Sequence, residues 1–254
     1  MVNVKKFIYK ILIFITLPNV YFVRKIYKKI IFLHIPHCGG NTIHRFLKFN
    51  FGNRGKKIIL KNTLKDFDIL EDGKDHFYNF GHFGLDYIKK YFDDKNFFYI
   101  MNIRNPRNFY LSNYFRDKKY NSIYTPTEKF PSIEQYLQIN KDLNKDNIFC
   151  RYLSGSFIYK PSNTKVNDEI FEKAVNNLKL FHCIFIVEES KQSLNILSNK
   201  LKIPFNLTSI LKPHANKHSN SKYPPISEEA NELLESMVTY DNKLYEIVLK
   251  KNNL

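Results

Sequence analysis

With 254 residues, 43% of them hydrophobic, the chain can bury a substantial core in one large α/β domain or two small ones. Forty Lys and Arg against 24 Asp and Glu leave a net charge of +16, which favours an anionic partner: a nucleotide, a phosphorylated or sulfated sugar, nucleic acid or a membrane surface. A bias toward Lys and Asn codons accounts for the same charge without any partner. The three widely spaced cysteines, Cys38, Cys150 and Cys183, exclude a disulfide framework and a zinc spacing and fit a reducing compartment.

Residues 1–28 form a basic, apolar N-terminal segment ahead of a domain over residues 29–254. Its apolar stretch, 7–23, reads FIYKILIFITLPNVYFV and is interrupted by Lys10 and Pro18. It falls short of the ~20 apolar residues a membrane-spanning helix needs, and no small-residue cleavage site follows. The expectation is a packed or membrane-associated helix on a cytoplasmic protein. A type II signal anchor that holds the domain in the Golgi lumen is the alternative.

Four runs then predict strands: KIIFLHI (29–35), HFYNFG (76–81), NFFYIMNIR (96–104) and FHCIFIVE (181–188). Continuous apolar runs suit buried strands of a parallel sheet. Helical patterns lie between and after them. TIHRFLKF places Ile43, Phe46 and Leu47 on one side. SKQSLNILSNKL (190–201) repeats the theme, and SEEANELLESM (227–237) opens with a capping Ser and acidic first-turn residues. Residues 117–147 are polar and read as an insertion over one edge that shapes a substrate cleft. The alternation predicts an α/β fold: a single P-loop-like domain with a central parallel sheet flanked by helices on both faces.

The loop after the first strand, Pro36-His37-Cys38-Gly39-Gly40-Asn41-Thr42, has the parts of an anion cradle. Glycines let the backbone approach closely, and the following helix adds its N-terminal dipole. Taken alone the signal is weak, because a Gly-Gly after a strand also makes an ordinary tight turn. Arg104 ends the third predicted strand, at the same rim of the sheet, where a guanidinium suits bidentate phosphate binding. Ser112 follows on the next helix. Arg104 pairing with a neighbouring carboxylate is the structural alternative. The Walker A spacing is absent, which counts against a P-loop kinase.

These residues resemble the P-loop-like sulfotransferases that use 3′-phosphoadenosine 5′-phosphosulfate (PAPS), in particular the carbohydrate 2-O-sulfotransferase group. That family's first loop commonly reads His-Ile-Pro-Lys-Thr-Gly-Gly-Thr-Ser, where this chain has His34-Ile35-Pro36-His37-Cys38-Gly39-Gly40-Asn41-Thr42. Its second motif resembles Arg-Asp-Pro-x-x-Arg-Phe-x-Ser. Arg104, Pro106 and Ser112 fall at the same offsets, and Phe109 stands where the family often has a second Arg. GHFG (81–84), DNIFCRYLSG (146–155) and YDNKLYEIV (240–248) are similar to three further family segments.

The resemblance implies transfer of a sulfuryl group from PAPS to a hydroxyl, the acceptor partner being a carbohydrate or another hydroxyl compound, with no nucleic acid and no metal. Residues 36–42 would hold the 5′-phosphosulfate, and Arg104 and Ser112 the 3′-phosphate. His82 would be the general base, since an imidazole titrates near neutrality; packing beside Phe80 and Phe83 is the alternative. The family's loop lysine steadies the leaving phosphate, and here His37 stands in its place. Either His37 as imidazolium or another cation, such as Arg45 or Lys48, takes over that task. Otherwise the chain is a catalytically weakened nucleotide- or sulfated-glycan-binding protein of the same fold.

Overall fold

The computed structural model describes residues 29–51, 55–59, 77–81, 84–91, 96–120, 130–155, 164–203 and 223–253. The apolar stretch 7–23 and His82 lie outside the described residues. Among the described residues no helix is long and apolar enough to cross a membrane.

Among the described residues five strands form one parallel sheet in the order β2-β3-β1-β4-β5. They are β1 (Lys29–His34), β2 (Gly55–Ile59), β3 (Phe77–Gly81), β4 (Phe97–Ile103) and β5 (Cys183–Ile186). The four anticipated apolar runs become β1, β3, β4 and β5. Ile30, Ile31, Phe32 and Leu33 are buried in the centre of the sheet, with Phe98, Ile100 and Met101 beside them. The unanticipated strand, β2, reads GKKII and, among the described residues, lies at the sheet edge, paired with β3. Lysine on an edge strand discourages pairing with another chain, so the sequence that hides this strand also suits its place.

Among the described residues eight α-helices accompany the sheet: α1 (Gly40–Phe51), α2 (Leu85–Tyr91), α3 (Pro106–Tyr120), α4 (Ile133–Asp142), α5 (Ile148–Ser154), α6 (Asp168–Asn177), α7 (Ser190–Leu201) and α8 (Glu228–Lys251). Helix α7 matches its predicted span, whereas α8 runs well beyond the predicted 227–237. The polar segment 117–147 holds more regular structure than an insertion suggests. It contains the end of α3 and all of α4, whose Ser132 and Gln135 form a reciprocal capping box. Helix α4 packs against α8 and α3.

Two of the resembling segments meet in a structural joint. Asp241, buried on α8, accepts the N–H groups of Phe149 at 3.0 Å and Cys150 at 2.9 Å, at the start of α5. In return the Asn147 side chain accepts the N–H groups of Tyr240 at 2.9 Å and Asp241 at 3.2 Å. Arg151, also buried, donates to the Asp146 carboxylate at 2.5 Å and to the carbonyls of Asp146 at 2.8 Å and Thr164 at 2.9 Å. A helix N-terminus inside a core needs acceptors for its open N–H groups, and Asp241 supplies two. The polar residues of 146–155 and 240–241 therefore fasten α5 to α8.

Candidate functional site

Strands β1 and β4 are neighbours, with Leu33 opposite Met101, so the loops that follow them emerge side by side at the carboxyl edge of the sheet. Asn102, fully buried on β4, ties the first loop down. Its Oδ1 accepts the Ile35 N–H at 2.8 Å, and its Nδ2 donates to the carbonyls of Ile35 at 3.0 Å and Cys38 at 2.6 Å. The signal in the sequence was one polar residue inside the apolar run FFYIMNI.

The turn itself differs from a simple Gly-Gly reversal. The left-handed residues are His37, at φ +64°, and Gly39, at φ +70°. Alternation of this kind builds a concave backbone that turns N–H groups toward an anion. Gly40 is already helical. It is glycine for another reason: a Cβ there would sit 1.9 Å from His34 Nε2. The His34 ring, stacked on Phe32, occupies the space beside the start of α1. The Cys38 side chain is buried, and that burial pushes its thiol up, so it stays a neutral group of the core. Thr42 N–H turns back to the Gly39 carbonyl at 2.9 Å. Among the described residues, no protein acceptor is bonded to the N–H groups of Gly39, Gly40 or Asn41. Those donors lie at the N-terminal end of α1, the positive end of its dipole.

Arg104 lies beneath this loop, buried. Its guanidinium donates to the His37 carbonyl at 3.4 Å and to the Tyr223 hydroxyl at 2.9 Å, and Nε is 3.8 Å from Glu188. The carboxylate partner anticipated as the structural alternative is thus present. Glu188, just past β5, also accepts the Asn105 N–H at 3.1 Å and the Tyr245 hydroxyl at 3.1 Å. Ser112 is half-buried on the second turn of α3.

Arg45 and Lys48, proposed from the sequence as substitute cations, are exposed on α1. A different cation reaches the loop. The Arg116 guanidinium, on α3, contacts both ring nitrogens of His37, 79 positions away in the chain. Arg116 also donates from Nε at 2.9 Å and Nη2 at 2.5 Å to Asp117 Oδ1, while Asp117 Oδ2 accepts the Tyr136 hydroxyl at 2.9 Å. Ser112 and Arg116 are one helical turn apart, so they share a face of α3.

Strand β3 ends at Gly81, opposite His34 in register, so the expected base position follows directly from a strand beside the loop. His82 itself lies outside the described residues. Among the described residues no cluster of His, Cys, Asp and Glu could hold a metal ion, and all three cysteines are free and buried. No family model matches the chain, and no curated protein matches it.

Proposed function

We propose that this chain transfers a sulfuryl group from PAPS to a hydroxyl, of a carbohydrate or a similar acceptor, on a P-loop-like domain. The observation that carries the reading is the group of N–H donors at Gly39, Gly40 and Asn41, gathered at the start of α1 and held open by Asn102. Strand order supports the architecture. The chain leaves β1 toward β2 and later crosses from β3 to β4 in the opposite direction, and right-handed crossovers would put α1 and α2 on opposite faces. The loops of β1 and β4 then flank the switch in direction, where ligands of such sheets bind.

In this reading the loop N–H groups bind the 5′-phosphosulfate. Arg104 and Ser112 take the 3′-phosphate, with Arg104 exchanging the Tyr223 hydroxyl for a phosphate oxygen. A phosphate oxygen is the stronger partner, since the guanidinium then meets an acceptor of opposite charge in place of a neutral hydroxyl. The acceptor oxygen bonds to sulfur as the bond from sulfur to the bridging oxygen breaks. The acceptor proton passes to His82, and 3′,5′-diphosphoadenosine departs with the electron pair. Positioning and charge stabilisation are the main demands on the protein in such loose transfers.

Incubation with radiolabelled PAPS and a panel of glycans tests the reaction, and calorimetry with 3′,5′-diphosphoadenosine tests the site. Label in an acceptor supports the enzyme. Tight binding of 3′,5′-diphosphoadenosine without label in any acceptor supports the second reading, a nucleotide-binding relative without turnover. That reading draws on the histidine at the lysine's position. Tighter binding of ATP with Mg²⁺ than of 3′,5′-diphosphoadenosine would overturn both.

A further inference from the structure

We propose that Arg116 supplies the positive charge that the first loop lacks, by offering Nη1 to the anion bound there. The proposal rests on the anion-site reading above and names the residue that completes it.

Three observations converge. First, the guanidinium meets the loop at His37, the position where a lysine is missing. A guanidinium stays charged and only donates, so the full positive charge at this contact is that of Arg116. Second, the guanidinium is oriented. Asp117 takes Nε and Nη2, which leaves Nη1 facing the loop. Third, the brace is itself held. The Tyr136 hydroxyl, from α4, donates to the second Asp117 oxygen. Burial and the Asp117 charge push that phenol up, so it keeps its proton and stays a donor.

The other cations fit the task less well. Arg104 is buried under the loop with Glu188 as a charge partner, and Arg45 and Lys48 are exposed on α1. Arg116 is partly accessible, its side chain 34% exposed against 14% for Asp117, so it can meet a solute while its brace stays covered. A sulfate or phosphate oxygen arriving at the Gly39–Asn41 donors would replace the imidazole as the partner of Nη1. That exchange gives the guanidinium a partner of opposite charge.

Calorimetry on the full chain with two probes, inorganic pyrophosphate and 3′,5′-diphosphoadenosine, tests the assignment. Arg116→Ala should weaken both by roughly tenfold to a hundredfold, the usual worth of one charged hydrogen bond. Arg116→Lys should recover part of the loss. Adding His37→Lys to Arg116→Ala should recover most of it, because the charge is then restored from the loop itself; a purely structural arginine would not be rescued in this way. Should Arg116→Ala fail to fold, Arg116→Gln keeps the long stem and an amide donor for Asp117 and should show the same loss. Unchanged binding of both probes in the neutral variants overturns the assignment while leaving the sulfotransferase reading intact. Arg116-dependent binding of pyrophosphate without binding of 3′,5′-diphosphoadenosine upholds the assignment and removes that reading. A wild-type chain that binds neither probe overturns both.

Discussion

Asn102 treats Ile35 as a neighbouring strand would: it accepts the Ile35 N–H at 2.8 Å and donates to the Ile35 carbonyl at 3.0 Å. A side-chain amide thus replaces one step of the backbone ladder just where β1 has ended, and its third bond, to Cys38, curls the chain over. Asn102→Leu would leave a fully buried N–H without an acceptor. Its expected cost is about 2–4 kcal/mol of stability, the sum of one orphaned donor and two weakened carbonyls. Affinity for 3′,5′-diphosphoadenosine should drop along with the melting temperature. Denaturant unfolding with a midpoint equal to wild type would show the amide to be idle.

Gly40 is constrained by a ring rather than by its own backbone. In an open first turn alanine would favour the helix. Here its Cβ would overlap His34, and the ring must leave its stack on Phe32. Gly40→Ala should cost about 1–3 kcal/mol, as overpacking does. In the His34→Ala background the same change should be neutral or stabilising. The interaction energy of that double-mutant cycle is the measurement, and additive effects would refute the contact.

Asp241 predicts a pH dependence. Burial, opposed by its two amide hydrogen bonds, pushes this carboxyl up to about 7. Its folded value lies above the unfolded one, near pH 4. The group therefore adds stability in acid and loses that contribution as pH rises through about 7. Asp241→Asn breaks the proton linkage at the expense of one amide bond. The unfolding free energy of Asp241→Asn minus that of wild type should increase between pH 4 and pH 7, by at most roughly 1.4 kcal/mol per pH unit. Parallel curves for the two proteins would exclude the shift.

His82→Ala separates chemistry from binding. A lost general base lowers the rate by ~10²–10⁴-fold. Transfer from PAPS should fall by that much, and the dissociation constant of 3′,5′-diphosphoadenosine should stay near wild type. Loss of both would make His82 a packing residue.

What could be read from the sequence follows from the range of each interaction. β1, β4 and β5 announce themselves because a strand buried on both faces has apolar residues throughout. β2 hides because two of its five residues are lysines at an edge. The loop's glycines were visible, but their separate duties were not. Gly39 needs a left-handed backbone, while Gly40 yields space to a ring six positions earlier. Asn102 was legible as an oddity in an apolar run. Arg116 carried no local mark, because its meaning depends on a partner 79 positions away. The motif-like polar residues at 146–155 and 240–241 point to a different lesson. Their spacing is explained by helix capping across 92 residues, which a spacing argument cannot tell from chemistry.

The last helix has a phase as well as a position. Asp241 engages α5, and Tyr245, one turn later, engages Glu188, which also receives Asn105 at the site's floor. One residue inserted between Met237 and Asp241 would rotate everything beyond it by about 100°. Both anchors would miss their partners together. Conservative point changes along α8 are thus better tolerated than any change in its length, and the floor of the candidate site feels a single-residue slip made far from it in the chain.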